Sequence, residues 1–339
     1  MAGSRQRERA DWCGSRIPGA AKPVAIHLPA EASPINWRHK AAVQGLLSRV
    51  PGGEQVNYLL SKYVTGHVPA SEATFRRDVS FAKQYLEAFR RFGGRSIEEG
   101  RFYEFGGGWD LIVALTFYSL GVTRQVVVDL RRLLKPSLVA LTAARVNRFA
   151  QESNGMRMLS DLAEPLQMRP LIDRLKNHYG IEYVAPFDAR KSGWEPASVD
   201  YITASKVLCH IPEPDLRLIM IECRRLLRDG GLAAFVIDYR DQYSYSDSAI
   251  GPYNFLQFSD EEWTRFNPPL HYQNRMRHSD YLRVFEQTGF EPVVAVGARP
   301  EGAAHESFDR VKLAARFASY DVQDLKVVRG EFVLRKKPA

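Results

Sequence analysis

Hydrophobic positions between residues 35 and 92 recur with a helical period. Val43, Leu46, Leu47 and Val50 fall on one face of a helix that Pro51-Gly52-Gly53 stops. Val56, Leu59, Leu60 and Tyr63 make a second face, and Phe75, Val79, Ala82, Leu86 and Phe89 a third, ended by Gly93-Gly94. Residues 25–99 are therefore expected to form a helical cap. Residues 1–24, which mix Arg, Gly, Ser and Pro without periodicity, read as a disordered basic arm.

After Gly100 the pattern changes to alternating strand and helix. Residues 101–105 predict a short strand running into Gly106-Gly107-Gly108, and an apolar helix follows over 110–120, closed by Gly121. Residues 125–129 (QVVVD) predict a second strand, and a helical stretch in two pieces spans about 136–177. Strands are expected at 181–187, 199–204, 232–237 and 292–296. Helices separate them, one with Leu216, Ile219, Met220, Cys223 and Leu227 on a single face and another over 279–288. The tail at 331–336 alternates apolar and charged residues as an edge strand would. This repetition implies an α/β fold, a doubly wound, mostly parallel sheet with helices on both faces.

Composition removes several function classes. No run approaches the roughly 18 apolar residues of a membrane span. The early arginines and acids are not followed by the hydrophobic core of a secretory signal. Cys13, Cys209 and Cys223 are odd in number and lack C-x-x-C spacing, which points to a reducing cytoplasm rather than to disulfides or zinc. The histidines show no ligand spacing, so no metal is expected. The net charge of +8 invites a nucleic-acid reading. Residues 1–40 hold seven Lys/Arg against three Asp/Glu, and residues 325–339 hold five against one. Each end thus carries +4, the segment between them is neutral, and a nucleic-acid partner is disfavoured.

Ligands of doubly wound sheets bind outside the carboxyl ends of the strands. Four polar features fall at such ends: residues 104–108, Asp129, Asp188 and residues 205–210. Glycines let the backbone approach a ligand that a Cβ would obstruct, and Asp129 can accept two hydrogen bonds from a ribose diol. A dinucleotide fingerprint would want G-x-G-x-x-G, but position 111 is Leu, and Asp110 puts a negative charge where a pyrophosphate would sit. A cofactor with an ammonium and a sulfonium but no phosphate avoids that conflict.

From Phe102 to Val296 the chain resembles the class I S-adenosylmethionine-dependent methyltransferases. The residues that carry the resemblance are Glu104-Phe105-Gly106-Gly107-Gly108 for an E-x-G-x-G motif, Val127-Val128-Asp129, and Phe187-Asp188-Ala189. Ser198-Val199-Asp200-Tyr201-Ile202, Val207-Leu208-Cys209-His210-Ile211 and Leu226-Leu227-Arg228-Asp229-Gly230-Gly231 follow in the family's order. The family's usual third glycine is Asp110 here. The resemblance implies a seven-stranded Rossmann-like methyltransferase fold over 100–339 with S-adenosyl-L-methionine as cofactor. It further implies that Gly106, Gly107 and Gly108 lie along the methionine moiety and that Glu104 orders their loop. Asp129 would hold the ribose, Asp188 and Ala189 would meet the adenine, and Ser205 to Val207 would lie beneath the sulfonium.

Each residue also has a plainer reading: Asp129 as a helix N-cap, Asp188 as a turn residue, His210 as a structural group at a loop junction. Residues 239–281 hold ten aromatics, about twice the chain's 11%. They are expected either to wall a substrate pocket or to pack on themselves as a surface insertion. The substrate candidates are Tyr239, Tyr243, Tyr272, Asn274 and Arg275, and the candidate general bases are His210, Asp238 and Tyr239. The expected activity is methyl transfer to a small-molecule or glycan acceptor. The alternatives are an NAD(P)-dependent oxidoreductase and a non-catalytic S-adenosylmethionine-binding interaction protein.

Overall fold

The computed structural model describes residues 35–63, 68–153 and 155–338; the basic arm at 1–24, with Cys13, and residues 25–34 of the expected cap lie outside them. Three helices come first: α1 (Trp37–Leu47), α2 (Gly53–Tyr63) and α3 (Glu72–Phe92). The alternating part then runs β1 (Phe102–Phe105), α4 (Ile112–Ser119), β2 (Gln125–Val128), α5 (Pro136–Gln151), α6 (Met168–Tyr179) and β3 (Ile181–Val184). It continues through β4 (Val199–Ser205), α7 (Glu213–Leu226) and β5 (Leu227–Asp238). The short helix α8 (Asp260–Thr264), then α9 (His278–Gln287), β6 (Phe290–Ala298) and β7 (Arg329–Lys336) complete the main elements.

The seven strands form one sheet in the order β3-β2-β1-β4-β5-β7-β6, parallel except for β7. The tail strand is therefore not at the edge. It pairs with β5 on one side and β6 on the other, and its Phe332, Val333 and Leu334 are buried. Because it runs antiparallel it can enter between two strands without a crossover helix, so its short alternating pattern says nothing about its neighbours.

Strand alternation divides the core into two faces. Tyr103 and Phe105 point with Ile202 and Phe235 toward α7 and α9. Phe102 and Tyr201 point to the opposite side, where Phe89 of α3 stacks on Tyr201 at 4.5 Å. Helix α3 is thus part of the sheet's covering layer. Ser71 caps it by accepting the amide of Thr74, and its predicted apolar stripe is buried.

The first two helices form where the periodicity places them but bury other residues. Trp37, Ala41 and Gln44 of α1 and Tyr58 of α2 face inward, whereas Val43, Leu46, Val50, Val56, Leu59 and Tyr63 are exposed. The reason is the docking of α1 on the aromatic-rich segment. Trp37 meets Phe266 edge-on at 4.7 Å and its amide donates to Asp247.

Candidate active site

The Glu104–Gly108 turn leaves β1 at the middle of the sheet, beside Val128 and Asp129 at the end of β2. Gly106 donates to the carbonyl of Val128 at 2.7 Å. Gly106 and Gly108 have φ of +83° and +71°, the left-handed region that favours glycine. The three glycines differ in what surrounds them. A Cβ on Gly106 would lie 2.4 Å from Val207, and one on Gly107 2.3 Å from Val127, whereas Gly108 faces open space.

That space is a cavity of about 310 Å³. Its lining includes the glycine loop, Glu104, Asp110, Ser205 and Lys206, with Val68–Ala70, Asp78 of α3, and Thr142 and Arg145 of α5 from outside the expected site. Burial pushes the Glu104 carboxyl well up, and the neighbouring Asp129 and Asp110 push it the same way. Its Oε2 has no hydrogen-bond partner. A buried carboxylate oxygen left unpaired costs about 1–3 kcal/mol or more, so this atom asks for a donor. Asp110 is satisfied: Thr142 donates to one oxygen and the Ile112 amide to the other. Lys206, itself at φ +60°, donates from Nζ to both oxygens of Asp78 at 2.7 and 2.8 Å. The Arg145 guanidinium donates to the Ala70 carbonyl. The cations are thus engaged while Glu104 is not, which suits a cationic ligand and opposes a pyrophosphate.

Asp129 lies against the loop, its Oδ2 3.7 Å from where a Gly107 Cβ would be. Tyr183 donates to that oxygen at 3.1 Å, and the Gly108 amide also donates to the carboxylate. Burial nevertheless pushes its carboxyl up from 3.8 to about 7. Ser205 bonds the Tyr85 hydroxyl at 3.0 Å, and Val207 props Gly106 from below. Asp188 is half-exposed and held by Arg190, which also pairs with Asp215; this guanidinium keeps the Asp188 carboxyl below its usual value. Of the expected cofactor residues, Asp129, Asp188, Ala189 and Val207 do not line the cavity.

The expected substrate wall is mostly closed. Tyr243 is fully buried and donates to the Phe266 carbonyl, packing with Trp37, Phe255 and Trp263 into a separate core. Tyr239 is stacked on Tyr281 at 5.4 Å with its hydroxyl against His278. Arg275 is buried over the carbonyls of Phe255 and Phe258 and ion-paired with Asp260; Asn274 ties the carbonyls of Leu208 and Ile211. All four side chains are engaged in packing or hydrogen bonds within the segment, because a segment made of short turns must use its own aromatics and polar side chains to hold its backbone. Tyr272 is half-buried, and its carbonyl is bonded to His210 Nδ1.

The candidate bases lie apart from the glycine loop. Asp238 is clamped by Arg240 and Tyr245, and with Tyr239 it borders a crevice of only about 10 Å³. His210 is exposed and divided between Tyr272 and Gln242. None of the three lines the cavity. Asp78 and Lys206 line the cavity and Tyr183 bonds Asp129, and none of the three is singled out by the sequence. Lys206 stood between two named residues, but nothing in the sequence linked it to Asp78, 128 positions away.

Among the described residues no helix is long and apolar enough to cross a membrane, and no group of His, Cys, Asp or Glu could hold a metal. Residues 166–235 match the family model described as a methyltransferase domain. No curated protein matches the chain. The structure is similar to an S-adenosylmethionine-dependent methyltransferase from Mesorhizobium loti at 15% identity, covering 74% of this chain and 96% of that one, with a TM-score of 0.40. It is also similar to one from Methanosarcina mazei at 14% identity, covering 71% and 94%, with a TM-score of 0.39. A third similar structure is the 4+2 cyclase SpnF, at 13% identity, covering 91% and 100%, with a TM-score of 0.45.

Proposed function

We propose that this chain, which carries a class I S-adenosylmethionine-dependent methyltransferase domain, methylates a small molecule or the end of a glycan inside the cavity over its glycine loop. The observation that carries this reading is the unpartnered Oε2 of Glu104 in the lining of the same cavity as Gly108, whose Cα faces open space. The residues present fit the cofactor: a buried acid without a donor matches the methionine ammonium, and the open Gly108 leaves room for the methionine backbone. In this assignment Gly106 to Gly108 hold the methionine end and Asp129 takes the ribose diol. Asp188 shares its Arg190-bound carboxylate with the adenine amino group, beside Ala189.

Bound S-adenosylmethionine supplies an electrophilic methyl on a sulfonium, so alignment and exclusion of water are what the chain must add. Val68–Ala70 and α3 cover the cavity, and Ser205, braced by Tyr85, fixes the end of β4 below it. The Asp78–Lys206 pair gives an acceptor one donor and one acceptor group at a fixed place. A volume of about 310 Å³ is at the small end of ligand pockets, and the methionine end of the cofactor takes part of it, which favours an acceptor that enters by a small group or terminus.

Titration calorimetry with S-adenosylhomocysteine and, separately, NAD tests the cofactor assignment; binding of NAD alone would sink it. A tritiated-methyl transfer assay on size-fractionated extract tests the acceptor. Label confined to small molecules and oligosaccharides supports the reading, and label in protein or polynucleotide overturns it.

A further inference from the structure

Seven of the eleven exposed large hydrophobic side chains among the described residues lie in one region. Val43, Leu46 and Val50 are on α1 and its following turn, and Val56, Leu59 and Tyr63 are on α2; Leu46 is 64% and Tyr63 72% exposed. The two helices are joined by a Gln44–Asn57 hydrogen bond of 3.2 Å. The seventh, Leu130, is 68% exposed on the loop after β2. That loop is tied to α2 by Arg131–Glu54 at 3.1 Å and Lys135–Gln55 at 3.0 Å. Apolar side chains of this number, gathered rather than scattered, mark a surface that something covers.

The charge around them narrows what that is. Residues 35–63 and 130–135 place six Lys/Arg around the patch (Arg38, Arg49, Lys62, Arg131, Arg132 and Lys135) against Glu54 alone, a local charge of +5; Lys40 turns inward to Ser246. Arg38 belongs to the basic N-terminal end, and the other five lie in the neutral segment, where acids elsewhere balance them. A second copy would bring the same sign against itself. Long basic side chains around a patch of Leu, Val and Tyr instead match an interface whose headgroups are anionic and whose interior is apolar.

We propose that this α1–α2 hairpin and the loop after β2 form a docking surface for an anionic lipid bilayer. Helix α2 also supports the glycine loop, Tyr58 meeting Trp109 edge-on at 5.4 Å. A membrane-seated α2 would therefore place the cavity beside the lipid surface.

Co-sedimentation of the full chain with vesicles tests this. With phosphatidylcholine containing about one-third phosphatidylglycerol, the protein is expected to pellet; with phosphatidylcholine alone, or at high salt, binding falls about tenfold. The double variant Leu46→Glu/Leu59→Glu, at exposed positions, is expected to lose about tenfold in binding with an unchanged melting temperature. If it melts lower, Arg49→Gln/Lys62→Gln provides the second arm and must also weaken binding. Failure to pellet with anionic vesicles, or equal pelleting of wild type and both variants, overturns the proposal. So does light scattering that shows a dimer broken by Leu46→Glu/Leu59→Glu, which would make a second copy the occupant.

Discussion

Replacing Asp129 by Asn tests the site and the electrostatics together. The carboxyl is 4% exposed, and burial raises it from 3.8 to about 7 in spite of its bonds to Tyr183 and Gly108. The folded state therefore holds this proton more tightly than the unfolded chain does. Between about pH 4 and pH 7 the folded state binds more protons, so stability falls as pH rises through that window and is level above it. A shift of this size corresponds to about 4 kcal/mol, of which relaxation and water entry leave about half observable, on the order of 2 kcal/mol. Asn keeps an oxygen for Tyr183 and Gly108 but cannot ionise. Urea unfolding of wild type and Asp129→Asn at about pH 4.5 and pH 8 is expected to show the variant gaining on the order of 2 kcal/mol across the interval. At the higher pH its affinity for S-adenosylhomocysteine should nonetheless fall about tenfold or more, because the ribose diol loses one of two acceptors. A pH-independent stability difference would refute the buried ionisation. Unchanged affinity would refute the ribose placement, whatever the stability shows.

Gly107→Ala puts a methyl 2.3 Å from Val127 and should lower both melting temperature and cofactor affinity. Gly108→Ala meets no atom and should cost only about 1–2 kcal/mol for its φ of +71°, with the larger loss in cofactor binding by calorimetry. Binding of S-adenosylhomocysteine is expected to release protons at some pH above the ordinary carboxylate range, since an ammonium beside Glu104 draws its raised carboxyl down. Titrations in buffers of different ionisation heat measure this, and Glu104→Gln should reduce the release. Arg277 is fully buried and donates to the carbonyls of Tyr239, Leu325 and Val327. Arg277→Leu strands them and should cost about 3 kcal/mol or more in urea unfolding. Trp37→Ala removes the anchor of α1 on the aromatic segment and should make residues 37–63 more susceptible to limited proteolysis.

Periodicity and turn residues located nearly every main element, because these signals are local. The β-branched run QVVV and the Gly93-Gly94 stop act within a few residues of where they stand. The glycine loop, Glu104, Asp129 and Ser205 were legible for the same reason: each sits at a strand end, and a doubly wound sheet gathers its carboxyl ends. What a residue does after that gathering depends on partners far along the chain, and there the sequence was silent. Asp78 meets Lys206 only because α3 lies across β4. Tyr243 and Arg275 turn inward because the segment after β5 has no sheet to lean on. Leu46 stays outside because Trp37 has already chosen the inner face of α1, and Leu59 because Tyr58 holds the inner face of α2 against Trp109. Local propensity determined the elements and the shape of the loop; long-range packing decided which side chains remained free to bind anything.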